Sequence, residues 1–169
     1  MSTAALSLPE SHLRKHVQRA VAEVLNTMLG HQATPNAEVL SGADLGTHPF
    51  NISASVGFVG DIAGALHLCF GDDFASFSTS RMLGLSPAEI AAEGEAVIND
   101  AIGELANITA GSFKNGLCDL GYPCKLTLPM IVRGRDLAIS CPGTSLRFLY
   151  GFDCAGHRLI ADLHLKAET

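Results

Sequence analysis

The residues best suited to chemistry lie in one stretch, 98–111, where Glu104 and Asn107 stand three apart within a helical pattern. At 3.6 residues per turn such positions are neighbours on a helix surface, so a carboxylate and a carboxamide can act together on one small target. On the same projection Ile98, Ile102, Leu105, Thr109, Phe113 and Leu120 fall on one side. Asp100, Glu104, Asn107, Gly111 and Lys114 fall on the other. The first set is a core stripe. The second is unusual for a solvated face, because Gly103 and Gly111 each weaken a helix by about 1 kcal/mol relative to alanine. With Ala106 and Ala110 nearby, these glycines are expected to leave a low surface around Glu104 and Asn107 that a partner's backbone can approach. Spacing alone also admits a solvated polar stripe whose glycines relieve crowding against another helix, since E-x-x-N recurs by chance.

Other chemical candidates carry less. His12 and His16 have the i, i+4 spacing of a helical metal pair, but the Glu of an H-E-x-x-H site is missing, so they read as a solvated helix face and no metal is assigned to this chain. Cys118 shares the helix of Glu104, yet no C-x5-R phosphate loop or neighbouring histidine activates it, and Ser112 has the same weakness. Neither a G-x-x-x-x-G-K-[ST] nor a G-x-G-x-x-G loop occurs, so nucleotide hydrolysis and dinucleotide binding lack their sequence support. A second E-x-x-N-x-x-x-G frame runs from Glu23 through Asn26 to Gly30. Its neighbours Val24, Thr27, Met28 and Leu29 are larger than those around Glu104, and Gly30 suits a helix C-terminus, so ordinary surface residues are expected there.

The elements that must position the pair can be read in outline. Ser7 and Glu10 form a capping-box pattern ahead of a helix ending at Gly30. Residues 50–58 and 62–70 have strand alternation, with a turn at Gly60 and Asp61, which predicts a hairpin. A helix over 72–83 should stop at Gly84, and Ser86 with Glu89 opens another that Gly94 interrupts before a long helix to about Leu120 and Gly121. Short β segments follow at 126–132, 136–140, 145–150 and 158–165, separated by turn residues. Helices early and hairpins late, without regular β-α-β alternation, predict an α+β fold with a mostly antiparallel sheet packed with an N-terminal helix and a long central helix.

Composition bounds the partners. The chain has 169 residues, 47% of them hydrophobic and 17% charged, which is expected to give one folded domain over 1–169. A formal net charge of -6 without a Lys/Arg cluster argues against a nucleic-acid surface. No apolar run approaches the length of a membrane span, and the N-terminus lacks the pattern of a signal peptide. Five cysteines (Cys69, Cys118, Cys124, Cys141 and Cys154) with no C-x-x-C pair read as reduced thiols, so a cytoplasmic location is expected.

The block DAIGELANITAG at 100–111 resembles the signature helix of the CheC/CheX/FliY family of response-regulator phosphatases, with Glu104 and Asn107 at its two active positions. The following LGYP at 120–123, LTLP at 126–129 and IVRGRDLAI at 131–139 resemble the CheX branch more than the CheC branch. The likeness is good over 95–140 and extends more weakly, through element order, over the rest. It implies an α+β fold, a homodimer, and removal of the phosphoryl group from a phosphorylated CheY-like receiver domain. Asn107 would orient the attacking water, and Glu104 would dock the receiver by pairing with a lysine near its phosphate. Asp100, Gly103, Ala110, Gly111 and Lys114 would line the contact. No cofactor is implied for this chain, because the divalent metal, Mg2+, is expected on the receiver. A non-catalytic receiver-binding or flagellar-switch scaffold of the same fold is the alternative.

Overall fold

The computed structural model describes residues 8–36, 50–135, 137–140 and 145–166. Its elements run α1 (Glu10–Leu29), β1 (Ala33–Pro35), β2 (Ile52–Gly60), β3 (Gly64–Phe70), α2 (Asp72–Leu83), α3 (Pro87–Glu93), α4 (Glu95–Asp119), β4 (Cys124–Leu126), β5 (Met130–Arg133), β6 (Ser145–Cys154) and β7 (His157–Lys166). The fold is α+β. Seven strands form one sheet in the order β1-β6-β7-β3-β2-β4, with β5 also on β2, and every pairing is antiparallel.

Alternation along the strands sorts the residues into two faces. Ile52, Ala54, Val56 and Phe58 of β2, Leu66, Leu68 and Phe70 of β3, and Leu159, Ala161, Leu163 and Leu165 of β7 are all buried in the main core with the helices. On this face α4 packs against α1, α2 and β2, with Phe113 of α4 edge-on to Phe58 of β2 at 5.8 Å. Burying each such side chain contributes about 1.5–3 kcal/mol, so the helical layer is held to the sheet mainly by apolar area.

Local signals explain most boundaries. Gly30 and Gly84 end α1 and α2, and Arg81 Nε adds a bond to the Leu29 carbonyl at the end of α1. At α3 the Ser86 N–H donates to Glu89 Oε2 at 2.7 Å and the Glu89 N–H donates to Ser86 Oγ at 3.2 Å, completing the box expected there. Gly121, at φ 90°, turns the chain out of α4 in a backbone region that a side chain rarely tolerates. Ala155 at φ 50° and Gly156 at φ 81° form the two-residue turn between β6 and β7, whose positive φ values match the twist of the hairpin.

Three expectations need correction, and one strand, β1, was not anticipated. The helix begins at Glu10 with Pro9 at its N-cap and no side-chain cap, while Ser7 lies outside the described residues; Glu10 pairs instead with Arg14 at 2.8 Å. The run 126–132 is not one strand but two, because the register on β2 shifts between β4 and β5. No strand occurs at 137–140; there Ile139 packs with Phe50, Cys69 and Ile160 on the far face of the sheet, and Asp136 is outside the described residues. β1, on the β6 edge, carried too few residues to show a period.

The far face also buries a polar cluster. Asp162 is fully buried and accepts a two-pronged contact from Arg147, at 2.9 and 2.7 Å. His164 Nε2 lies 2.9 Å from Asp162 Oδ1 but is poorly aligned for a hydrogen bond. Burial alone would raise the Asp162 carboxyl; His164 and Arg147 outweigh it and hold the group below its ordinary value. The His67 ring is 4.7 Å from that of His164, with Ser53 Oγ 3.4 Å from its Nδ1. Burial first, and then the neighbouring His164, push His67 down to about 4 from 6.5. The unfolded chain therefore takes up this proton near pH 6.5 while the folded chain resists until about 4, so stability falls as pH drops through that window and levels off below it. His67→Gln keeps a polar group toward Ser53 without titrating, and is expected to flatten this loss by roughly 1–2 kcal/mol. Urea unfolding at a series of pH values checks it, and an unchanged slope would remove His67 as the source.

Candidate functional site

Helix α4 carries the site, and three sets of contacts hold it. At its N-terminal end Arg133 of β5 donates from Nε to Asn99 Oδ1 at 3.0 Å, with Glu95 Oε1 at 3.5 Å, and from Nη1 to Asp72 Oδ1 of α2 at 2.9 Å. One guanidinium thus ties the sheet edge to the first turns of two helices. In the middle, Ile102, Leu105, Thr109 and Phe113 are fully buried, and Thr109 satisfies its hydroxyl on the Leu105 carbonyl at 2.7 Å. Toward the C-terminus, the ring of His16 lies over Gly116, where a Cβ would stand 2.3 Å from His16 Nδ1. The backbone then closes the helix with Tyr122 N–H donating to the Leu117 carbonyl at 3.0 Å.

This frame leaves Glu104 and Asp100 exposed and Asn107, Gly111 and Lys114 half-buried. Glu104 and Asn107 sit one turn apart, about 4.5 Å of rise, on the same open strip of helix. Among the described residues neither side chain is committed to a hydrogen bond or ion pair with the rest of the chain. A half-buried amide has fewer rotamers to lose than a fully exposed one, so Asn107 is partly ordered before any partner arrives.

The small residues behave differently from the sequence expectation. Gly103 and Ala110 are buried, Ala110 at 1% exposure, and Ala106 is buried as well. They therefore form no bare surface for a partner. The reason is the broken outer strand of the sheet: a Cβ on Gly103 would lie 3.9 Å from both Ile131 and Pro129, and one on Gly111 would lie 3.9 Å from Leu126. The buried stripe is accordingly wider than the projection suggested, taking in Ala101, Gly103, Ala106, Ala110, Gly116 and Leu117, while Ile98 and Leu120 at its ends are only half-buried.

The remaining candidates lie elsewhere. Glu23 and Asn26 are both exposed on α1; Glu23 has Arg19 at 3.3 Å, and the Asn26 carbonyl accepts the capping N–H of Gly30 in the last turn. His12 is exposed and His16 is occupied against Gly116. Cys118 is half-buried next to Cys124, whose thiol burial raises, with Cys118 adding to the effect. No group of three or more His, Cys, Asp or Glu suited to a metal occurs among the described residues. No helix among them is long and apolar enough to cross a membrane. Arg133 and Asn99, which set the angle of α4, were missed in the sequence because neither belongs to a local motif; the nearest signal was the charged residue ending an otherwise apolar strand.

Residues 52–153 match the family model of the chemotaxis phosphatase CheX. The CheY-P phosphatase CheX of Thermotoga maritima is 35% identical over 99 residues, covering 59% of this chain and 62% of that protein, so under two thirds of the relative's length is matched. The structure is similar to that of a CheC-like superfamily protein from Shewanella sp. PV-4, with a TM-score of 0.77 and 22% identity over 92% of this chain and 97% of the other. It is also similar to a chain of the CheX–CheY–BeF3–Mg2+ complex from Borrelia burgdorferi, with a TM-score of 0.72 and 20% identity over 91% of this chain and 97% of that one.

The packing at Gly111 generates a test. A Cβ there meets Leu126 at an ordinary van der Waals distance of 3.9 Å, so nothing among the described residues requires glycine. Gly111→Ala is expected to raise the unfolding free energy by about 0.5–1 kcal/mol through helix propensity alone. Urea denaturation measures it, and a destabilised variant would show that the contact with Leu126 is tighter than the geometry allows.

Proposed function

The chain belongs to the family of the chemotaxis phosphatase CheX, and we propose that it accelerates hydrolysis of the aspartyl phosphate of a CheY-like receiver domain. The observation that carries this reading is the exposed Glu104 and half-buried Asn107, one turn apart on α4, inside the matched region and without a hydrogen bond or ion pair among the described residues.

The chemistry asked of this protein is small. An aspartyl phosphate sits beside a divalent metal held by the receiver's own acids, so what is lacking is a water fixed in line with phosphorus. Asn107 supplies that. Its amide oxygen accepts a hydrogen bond from the water and its NH2 donates to a phosphoryl oxygen, so one planar group sets both the distance and the direction of attack. The water oxygen bonds to phosphorus, the bond to the aspartyl oxygen breaks, and the products are inorganic phosphate and a free carboxylate. No covalent bond to this chain forms.

Glu104 docks. Paired with a receiver lysine near the phosphate, it fixes the helix in register and keeps a cation beside the developing charge. Asp100, Gly111 and Lys114 extend the same accessible strip and complete the proposed contact; buried Gly103 and Ala110 support it from beneath.

Asn107→Ala is expected to lower kcat by roughly 100-fold while leaving the unfolding midpoint near wild type, since the amide acts mainly in the transition state and lies off the core stripe. Asn26→Ala should retain near-complete activity. Phosphate release from a panel of phosphorylated receivers decides both; a folded Asn107→Ala protein at the wild-type rate would falsify the assignment and leave a receiver-binding scaffold as the reading.

Glu104→Gln keeps the shape and deletes the charge, so it should raise Kd for a phosphorylated receiver by about tenfold at low salt and by less at high salt, where the wild-type pair is itself screened. Titration at two ionic strengths measures this. Equal affinities at low salt would reject Glu104 as a docking residue.

A further inference from the structure

The outer edge of β2 holds two strand pieces out of step with each other. Phe58 pairs with Leu126 and Gly60 with Cys124, whereas Ser55 pairs with Met130 and Ile52 with Arg133. Thr127 continues the first register: its N–H donates to the Gly57 carbonyl at 2.8 Å, and the Gly57 N–H donates to Thr127 Oγ1 at 3.0 Å. Between these anchored points β2 has the single residue Val56, and the outer chain has two, Leu128 and Pro129. That is a β-bulge. Bulges break the ladder locally and re-aim a side chain. Pro129 suits the place because it has no N–H to leave unpaired.

What the bulge re-aims is Leu128. It is 88% exposed, more than any other large hydrophobic residue among the described residues, and it belongs to neither core cluster. A lone exposed leucine by itself needs no explanation. This one is distinguished by where the bulge is fastened. Pro129 Cγ lies 3.9 Å from the Cβ position of Gly103, the residue immediately before Glu104, so the bulge that carries Leu128 is fastened to α4 next to Glu104. Met130 and Val132, also exposed, pair with Ser55 and Ser53 and so face the opposite side of the sheet.

We propose that Leu128 is an apolar docking residue for the receiver: it seats against an apolar patch bordering the receiver's phosphoaspartate pocket while Glu104 and Asn107 engage the pocket itself. The inference rests on the receiver-phosphatase reading and adds the second half of the recognition surface. Continuity points to the occupant: Leu128 adjoins Pro129, which packs on Gly103 beside Glu104, so the exposed leucine borders the strip to which the receiver is proposed to dock. Glu104 contributes a screened charge contact; Leu128 contributes affinity that salt does not screen. The bulge, pinned on both sides by β2, holds the leucine where it can be buried with little loss of chain entropy.

The test is steady-state phosphate release against receiver concentration for wild type, Leu128→Asn, Leu128→Ala and Met130→Asn, with unfolding midpoints and light scattering on each protein. Expected are a KM raised about tenfold in Leu128→Asn and about threefold in Leu128→Ala, with kcat, midpoint and oligomeric state unchanged. Met130→Asn, the same kind of change on the other sheet face, should keep the wild-type KM. An active wild type whose KM is indifferent to Leu128 overturns the proposal and leaves the phosphatase reading standing. A change in oligomeric state with Leu128→Asn overturns it in favour of a second copy of this chain as the occupant, and a fall in kcat or midpoint assigns Leu128 to the frame of α4. If wild type accelerates no phosphorylated receiver, the phosphatase reading fails and the docking role falls with it.

Discussion

The polar strip of α4 depends on how closely α1 approaches the opposite side of the same helix. Gly116 sets that distance: with a Cβ in its place, the His16 ring would have to leave the interface. Interaxial separation follows the size of the residues at the crossing, and a glycine there lets two helices meet with little between them. Leu13, Val17, Ala20, Val21, Val24 and Leu25 of α1 can then share one core with Ile102, Leu105, Phe113 and Leu117 of α4. Because α4 is clasped by α1, α2 and the sheet, only a narrow strip is left to solvent. A water-orienting amide suits such a helix, since positional error at the reacting centre is costly and a helix packed on three sides moves little.

The second constraint is the outer edge of the sheet. An unpaired edge invites pairing with other chains. Here β2 is covered by two short pieces, β4 and β5, instead of one long strand, and the break between them contains proline. The same arrangement accounts for the small residues of α4. Leu126, Pro129 and Ile131 reach across to Gly103 and Gly111, so Gly103 is buried under this chain's own edge while Gly111 stays half-buried at the border of the open strip. Arg133, at the end of β5, completes the link by bonding to Asn99 and Asp72. Edge, helix and proposed docking projection are therefore joined by direct contacts.

The far face of the sheet is not simply the solvated back of a half-buried layer. Buried Asp162 and Ser53 and half-buried Arg147, His164 and His67 form a polar set beside the small apolar group of Phe50, Cys69 and Ile160. Burying a carboxylate is tolerable only with a charged partner and well-formed hydrogen bonds, which the Arg147 fork supplies. The same low-polarity surroundings keep His67 neutral and raise the Cys69 thiol to about 12, with burial first among its causes. Cys69 is thus an inert core thiol.

Features set by neighbours along the chain were legible in the sequence. The long helix, its glycine stops, the capping box at Ser86 and Glu89, the hairpin over 52–70 and the pairing of Glu104 with Asn107 on one face all follow from periodicity and backbone preference within a few residues. The E-x-x-N pair was visible because both members sit on one helix, where spacing alone dictates adjacency. What spacing could not supply was the register of distant strands. The extra residue between Thr127 and Met130 exists only relative to β2, some seventy residues earlier, so Leu128 and Pro129 read as the interior of one strand although Pro129 already argued against it. The cover over Gly103, the reach of Arg133 to α4 and the burial of Asp162 beside Arg147 arise likewise from segments that meet only after folding. Chain-local chemistry determined which residues share a face; tertiary packing decided which of those faces stayed open, because exposure is a property of everything packed around a residue and not of the residue's own neighbours in sequence.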